Sequence, residues 1–208
     1  MERRATFWQR HPLLRDGVNL AAFVVAVVLG TFALNQFVFR SYNVLGHSMY
    51  DTLIPGERIL VNRLPVTAAH LLGQNYIPRR GQIIVFRNPR FATGDRDEFI
   101  IKRVIGLPGE RVIIEDGHIT VWTDPRDAST ALDPDELHEL DLNRTFITNP
   151  IDTIIPDGEV FVVGDNRGDM GGVPNSYDSR NGLGTIPLPD VVGPAAIRIF
   201  PLDSIRTF

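Results

Sequence analysis

The sequence predicts a mainly β protein in which a single N-terminal transmembrane helix precedes a sheet-rich body. Two observations predict this fold class. Residues 18–39 form a strongly apolar stretch without a charged side chain, and no second stretch of this length follows. Beyond it, short runs rich in β-branched residues lie between glycines and prolines. None of these runs shows the longer apolar periodicity of a helix.

The apolar stretch is long enough to cross a bilayer, since at about 1.5 Å per residue it matches a hydrocarbon core of roughly 30 Å. Four arginines precede it: Arg3, Arg4, Arg10 and Arg15. The positive-inside rule therefore places residues 1–17 in the cytoplasm and residues 40–208 outside. A buried helix and a removable signal sequence are the alternatives. The Phe37–Arg40 segment lacks the small residues typical of a signal cleavage site.

The body is predicted to be built from short strands. Five of them are Arg58–Val61, Gln82–Phe86, Phe99–Ile105, Glu159–Val163 and Ala196–Phe200. Arg111–Trp122 predicts a hairpin, because Asp116-Gly117 joins two β-rich arms. The acidic segment Thr123–Leu142 predicts a solvated loop or a short surface helix.

Composition excludes several classes of function. A net charge of −4 without a basic cluster in the body argues against a nucleic-acid partner. The absence of cysteine excludes disulfides, thiolate catalysis and cysteine-ligated metals. The five histidines are scattered, and Arg167 interrupts the acidic spacing that a calcium loop would need in residues 164–182. We therefore predict no metal and no cofactor.

Lys102 is the only lysine among 21 basic side chains, and it lies inside an apolar run. On a strand, Ile100 and Val104 would share its face, whereas Arg103 would point to the other side. Burial among aliphatic side chains lowers the pKa of a lysine, which can then release its proton, as arginine cannot. Lys102 is therefore a candidate general base. A snorkelling lysine, or one paired with a carboxylate, is the structural alternative.

Ser48 is the candidate nucleophile among six serines, because it lies between a glycine and a turn in GHSMYDTLIPGE, just after the apolar stretch. His47 beside it raises the possibility of a Ser–His–Asp triad. Neighbouring side chains on an extended chain point apart, however, and no third orienting carboxylate is evident, which argues against that arrangement.

Three blocks of this sequence together resemble the bacterial type I signal peptidases. GHSMYDTL, then RGQIIVF with IIKRVIGLPGE, then GDNR with NSYDSR occur in the order expected of that family, after a membrane span. The resemblance covers roughly Ser41 to Pro201. It implies an antiparallel catalytic body of two coiled sheets, with a cap inserted at about residues 111–157.

The resemblance also implies roles for individual residues. Ser48 matches the nucleophile and Lys102 the general base of a Ser–Lys dyad. Ser176 matches a hydroxyl that orients the lysine, and Asp178 with Arg180 a structural ion pair beneath the site. Positions that shape the substrate pockets are matched by Tyr42, Val44, Met49 and Ile101. The GDNR residues Asp165, Asn166 and Arg167 are interpreted as scaffolding.

The sequence departs from the family pattern in three places. Asp51 replaces a proline that would stiffen the turn after the nucleophile. Gly46 stands where the family often has a hydroxyl that helps to hold the oxyanion, which leaves the Ser48 backbone N–H as the expected donor. GDMGGVP separates GDNR from NSYDSR by more than the usual spacer, so the placement of Ser176 depends on a bulge that loops out.

The implied function is removal of signal peptides from translocated preproteins after small residues, of the Ala-x-Ala type. The implied partners are these preproteins, the lipid bilayer and the translocation machinery. A catalytically inactive, membrane-anchored homologue acting as a binding protein is an alternative that Asp51 and Gly46 favour. A self-cleaving Ser–Lys regulator is another, but it would normally carry a DNA-binding module, and none is visible.

Overall fold

The computed structural model describes residues 11–50, 52–94, 98–136, 149–168 and 177–208 of the chain. These residues form one long apolar helix and a body of antiparallel sheets, which confirms the predicted mainly β class. The chain divides after Val38 into two compact units, a helical unit and a β body.

The helical unit contains helix α1, Pro12–Ala33, which continues as one π-helical stretch, Leu34–Val38. The helix begins at Pro12, ahead of the predicted start of the span at residue 18, because proline is well accommodated in the first helical turn. By length and composition, these 27 residues, which include an 18-residue window with a mean hydropathy of 2.2, could cross a membrane. Phe39, predicted as the last residue of the span, instead begins the first strand.

Twelve strands and one α-helix are present in the described part of the body. The strands are β1 Phe39–Asn43, β2 Arg58–Asn62, β3 Ile83–Arg87, β4 Phe99–Gly106, β5 Arg111–Glu115, β6 His118–Trp122, β7 Ala131–Leu132, β8 Ile151–Ile154, β9 Glu159–Val163, β10 Ile186–Pro187, β11 Val191–Phe200 and β12 Arg206–Thr207. The sequence did not predict helix α2, Leu64–Leu71, because eight residues carry little periodic signal. Short 3₁₀ helices cover Ala128–Thr130, Leu188–Asp190 and Leu202–Ser204.

The larger sheet has the strand order β1-β2-β11-β3-β4-β9-β10, with β12 added to β11. Strand β11 lies between β2 and β3 and connects the two parts of this sheet. The first half of β11 pairs with β3, and its second half, from Ala195, pairs with β2. A bulge lies between Val191 and Gly193. Bulges bend a strand and increase its twist, so this bulge helps to curl the sheet where β11 changes its pairing partner.

Four strands between Arg111 and Leu132 and at Ile151–Ile154 form the smaller sheet, with the order β7-β6-β5-β8. The predicted hairpin is confirmed: Glu115 pairs with His118, and Asp116 and Gly117 both have positive φ, as a tight two-residue turn requires. One apolar cluster includes buried residues of both sheets: Ile105, Phe161 and Val163 from the larger sheet and Val112, Ile114, Ile119 and Val121 from the smaller. Burial of these side chains holds the two sheets together.

Candidate active site

Lys102 lies in the middle of β4 and is 3% exposed. Ile100 and Val104, two residues before and after it, belong to a buried apolar cluster, and Ile84 lies opposite on β3 in the same cluster. The Lys102 Nζ donates hydrogen bonds to Ser48 Oγ and, over 2.9 Å, to the Ile101 carbonyl. The chain thus brings together two predicted residues that are 54 positions apart.

The serine loop, residues 44–50, follows β1 and carries Ser48 on a turn. Tyr50 N–H donates to the His47 carbonyl over 3.0 Å, which closes the turn around the serine. Met49 and Leu53 are fully buried in the apolar cluster that also contains Val44, so the chain on the far side of Ser48 is fixed in the core. Met49, the residue after Ser48, packs in the core, whereas the Ser48 hydroxyl lies within hydrogen-bond distance of the Lys102 amine.

A buried ion pair holds the base of the serine loop. Glu57 is 3% exposed and accepts a hydrogen bond from Arg198 Nη1 over 2.5 Å, and its second oxygen accepts one from the Ile54 N–H. Val44 N–H donates to the Glu57 carbonyl, and Gly56 N–H donates back to the Val44 carbonyl. These bonds join the two ends of the segment that contains Ser48.

The turn Gly164–Arg167, which follows β9, contacts both sides of the Ser48–Lys102 pair. Asn166 N–H donates to the Ser48 carbonyl over 3.0 Å, and the Asn166 Nδ2 donates to the His47 carbonyl over 3.1 Å. Asp165 accepts two hydrogen bonds from Arg103, the neighbour of Lys102, over 2.8 and 2.7 Å. The sequence identified these residues as scaffolding, but it gave no sign that Asn166 holds the serine loop.

Asp178 and Arg180 form a fully buried ion pair, with 2.7 Å between Nη2 and Oδ2. The Asp178 carboxylate also accepts hydrogen bonds from the backbone N–H groups of Gly164 and Arg180, each over 2.9 Å. The pair therefore supports the Gly164–Arg167 turn. Ser176 and Asp51 lie outside the described residues, so the predictions for them stay predictions.

A cavity of about 260 Å³ opens next to Ser48 and Lys102. Ser48, Lys102 and three predicted pocket residues line it: Tyr42, Val44 and Ile101. Met49, predicted with them, is fully buried and does not belong to the lining, because it packs in the core below the serine loop. The sequence missed Phe99 and Tyr177 on the walls, since their place in the cavity depends on how the larger sheet curls.

One wall of the cavity is aromatic. The rings of Tyr42 and Phe99 lie 5.3 Å apart between centroids, and the Arg40 guanidinium stacks over both, at 5.3 and 4.9 Å. Burial raises the pKa of the Tyr42 hydroxyl above its ordinary value, while the nearby Arg40 and Arg63 oppose the rise. Tyr42 therefore stays neutral at physiological pH, and this wall carries no negative charge from the phenol.

Gly46 lines the cavity near Ser48, and a Cβ added to it would meet no atom within 4 Å. This position offers space but no side-chain hydrogen-bond donor. The described residues contain no group of three His, Cys, Asp or Glu side chains that could hold a metal ion. The Lys102 amine lies within hydrogen-bond distance of Ser48 Oγ, at a cavity whose lining also includes the aromatic rings of Tyr42 and Phe99. A serine hydroxyl beside a buried amine is an arrangement suited to acyl transfer.

Comparisons with known proteins give one family. The family model described as signal peptidase, peptidase S26, matches residues 17–200. Signal peptidase I P of Bacillus subtilis subsp. natto is 33% identical over 189 residues, which cover 90% of this chain and 90% of that protein. Signal peptidase I T of Bacillus subtilis strain 168 is 34% identical over 191 residues, or 89% of this chain and 86% of that protein.

Among solved structures, the crystal structure of a signal peptidase I from Enterococcus faecalis V583 is 28% identical, with a TM-score of 0.40, and the match covers 57% of this chain and 97% of that one. The family match extends over most of the chain and includes all three blocks that the sequence analysis identified. The chain belongs to the signal peptidase family, peptidase S26.

Proposed function

We propose that this protein is a membrane-anchored serine endopeptidase that removes N-terminal signal peptides from translocated preproteins, with Ser48 as nucleophile and Lys102 as general base. The observation that carries the proposal is the hydrogen bond between Lys102 Nζ and Ser48 Oγ, made by a buried amine at the edge of a cavity. Membership of the signal peptidase family supports it.

In the proposed acylation step, the neutral Lys102 amine accepts the proton of Ser48 Oγ as that oxygen attacks the scissile carbonyl carbon. Burial among Ile84, Ile100 and Val104 disfavours the charged form of the amine, which leaves its lone pair available. The tetrahedral intermediate then collapses with cleavage of the C–N bond. The protonated lysine gives its proton to the departing amine of the mature protein.

Deacylation uses the same groups. Lys102 accepts a proton from a water molecule, the hydroxide attacks the ester carbonyl, and the proton returns to Ser48 Oγ as the signal peptide leaves. The Ser48 backbone N–H is the proposed oxyanion donor. We propose that Ser176 orients the lysine, and that Asp178 with Arg180 supports the site through the Gly164–Arg167 turn.

The substrate is proposed to bind as an added strand. Strand β1 is at the edge of the larger sheet in the described part of the chain, and the cavity lies along Tyr42–Leu45 at its end. An extended peptide beside these residues would place alternate side chains toward Phe99 and Ile101. A small apolar cavity favours alanine-sized groups, which agrees with cleavage after Ala-x-Ala.

The apolar helix Pro12–Val38 is proposed to anchor the enzyme in the cytoplasmic membrane of a bacterium, with the N-terminal residues in the cytoplasm and the peptidase domain, from Phe39 onward, on the other side. Helix α1 has the length and hydropathy for this role. The anchor would hold the site where translocated preproteins emerge, next to the translocation machinery. The insert at about residues 111–157, which contains the smaller sheet, is the proposed cap.

The second candidate function is an inactive, membrane-anchored binding protein with the same fold. Gly46 favours it, because no side-chain donor for the oxyanion stands at this position, and loss of such a donor lowers rates by about 10²–10³. Covalent labelling separates the two: an active enzyme forms an ester between Ser48 and a β-lactam-type acylating agent, detectable by mass spectrometry. An inactive homologue binds preproteins without forming this ester.

The decisive experiment assays cleavage of a preprotein with an Ala-x-Ala site by Ser48→Ala, Lys102→Ala and Lys102→Arg. Each variant should lose at least about 10³-fold in kcat, since each removes the nucleophile or the base. Arg126 is exposed in the acidic segment that follows β6, so Arg126→Ala is the control and should cleave like the wild type. Cleavage retained by either lysine variant contradicts the Ser–Lys assignment.

A further inference from the structure

The acidic segment after β6 supplies a carboxylate that reaches the Gly164–Arg167 turn. Asp135 accepts two hydrogen bonds from Arg167, from Nη1 over 2.5 Å and from Nη2 over 2.7 Å. The Arg167 side chain is 1% exposed and that of Asp135 is 15% exposed, so this fork-shaped pair is largely shielded from water. Asp133 fixes Asp135 in turn, because its Oδ1 accepts from the Asp135 N–H over 2.8 Å.

The same guanidinium shapes the turn. Arg167 Nε donates to the Gly164 carbonyl over 2.9 Å. The Arg167 side chain therefore binds both the first residue of the turn and the Asp135 carboxylate. Planarity of the guanidinium fixes the relative orientation of these bonds. The position of Asp135 therefore constrains the backbone between Gly164 and Arg167.

Within the described residues, that backbone contacts both the serine loop and β4, the strand that carries Lys102. Asn166, the residue before Arg167, holds the carbonyls of Ser48 and His47, and Asp165 holds Arg103 next to Lys102. A shift of the turn would change the position of Ser48 relative to Lys102. Proton transfer between these groups requires hydrogen-bond distance, so a small displacement lowers the rate.

We propose that Asp135 is a positioning residue for the reaction: through Arg167 it sets the Gly164–Arg167 turn and thereby the alignment of Ser48 with Lys102. The inference rests on the proposed function and assigns the acidic segment a role in it. Asp135 does not line the cavity, so its contribution falls on the rate of acylation and not on substrate binding.

The test compares the full-length wild type, Asp135→Asn, Asp135→Glu and the control Asp124→Asn. Asp124 lies in the same acidic segment, is exposed and accepts from the Arg126 N–H, a bond that asparagine can also accept. Asp135→Asn should lower kcat for a signal-peptide substrate about ten- to hundredfold with KM within about twofold. Asp135→Glu should recover part of the loss, and Asp124→Asn should match the wild type within about twofold.

A second readout separates alignment from folding. The β-lactam-type agent should label Ser48 of Asp135→Asn to the same final extent as in the wild type, but with a lower rate constant. A lower final extent at an unchanged rate constant would mean fewer folded molecules and would overturn the proposal. If Asp135→Asn does not fold, a wild-type rate in the folded Asp135→Glu variant, whose carboxylate is displaced by one methylene, overturns it as well.

The two proposals fail in different ways. If the wild type neither cleaves the substrate nor forms an ester at Ser48, the proposed function is wrong. If the wild type is active through Ser48 but Asp135→Asn keeps its kcat and its labelling rate, only the positioning role of Asp135 is wrong.

Discussion

Lys102 occupies a position at which no arginine could supply the same chemistry. A guanidinium stays charged at any pH that a protein experiences, whereas a buried amine can be neutral. The chain places arginine at the buried ion pairs with Asp165, Asp178 and Glu57, where permanent charge and several donors are useful. A base role for Lys102, as proposed, would account for the single lysine among the arginines.

Residue identity singled out Ser48 and Lys102, which the structure brings within hydrogen-bond distance, but it did not predict the residues around them. Ser48 and Lys102 could be chosen because each stands out in composition or context. Asn166 and Tyr177 could not, because their contacts depend on the path of the chain between distant strands. Met49 was predicted as a wall residue and is a core residue, since being next to Ser48 in the sequence does not fix the side on which its side chain lies.

Adding a hydroxyl at Gly46 should raise the activity of the enzyme. In Gly46→Ser the added hydroxyl enters open space at the cavity and should offer a hydrogen bond to the oxyanion. We expect an increase of about tenfold in kcat, less than the 10²–10³ attributed to an optimally placed donor. Single-turnover cleavage measures it. Gly46→Ala is the matched control, and an equal gain in that variant would contradict the oxyanion explanation.

Strands with a regular apolar pattern were predicted well. β9 has its predicted bounds, Glu159–Val163, and β4 extends one residue beyond the predicted Ile105. β11 was predicted only from Ala196, because Gly193 and Pro194 interrupt the pattern that precedes it. These residues fit within a strand because the bulge and the change of pairing partner relieve the usual restrictions on proline and glycine. β8, Ile151–Ile154, was missed because it is short and its two polar residues, Asp152 and Thr153, are adjacent, so it shows no alternation.

Because β11 approaches β2 closely at Gly193, a side chain at this position should destabilise the larger sheet. A Cβ on Gly193 would lie 2.3 Å from the Asn62 carbonyl oxygen, and the φ of this residue is +153°. Gly193→Ala should therefore lower the free energy of unfolding by about 2–4 kcal/mol. Gly73→Ala, with φ of +68° but open space around the Cβ, should lower it by about 1 kcal/mol. Urea unfolding measures both, and equal losses would contradict the clash.

At the scale of the whole molecule, a long apolar helix and a β body are separate compact units joined at Val38. The class of the body was predictable, since strand-like runs and turn residues fill it. Its division into two sheets was expected from the family resemblance alone, because local patterns do not say which strands pair. The shared cluster around Phe161 depends on those pairings.

Orientation in the membrane is predicted from four arginines that precede the apolar stretch. Added protease should digest residues 40–208 from the outer side of spheroplasts and leave residues 1–17 protected. Replacing Arg3, Arg4, Arg10 and Arg15 with glutamine should invert a measurable fraction of the molecules. The intact wild type is the control, and protection of its body from external protease would contradict the predicted topology.

The protonation state of Lys102 is the most direct test of the Ser–Lys assignment, and this chain makes it accessible. Because Lys102 is the only lysine, labelling with ¹³Cε-lysine gives one side-chain resonance. Its chemical shift, followed against pH, should report a neutral amine at neutral pH in the wild type. A titration midpoint near 10.4, the value of an ordinary exposed lysine, would contradict Lys102 as the general base.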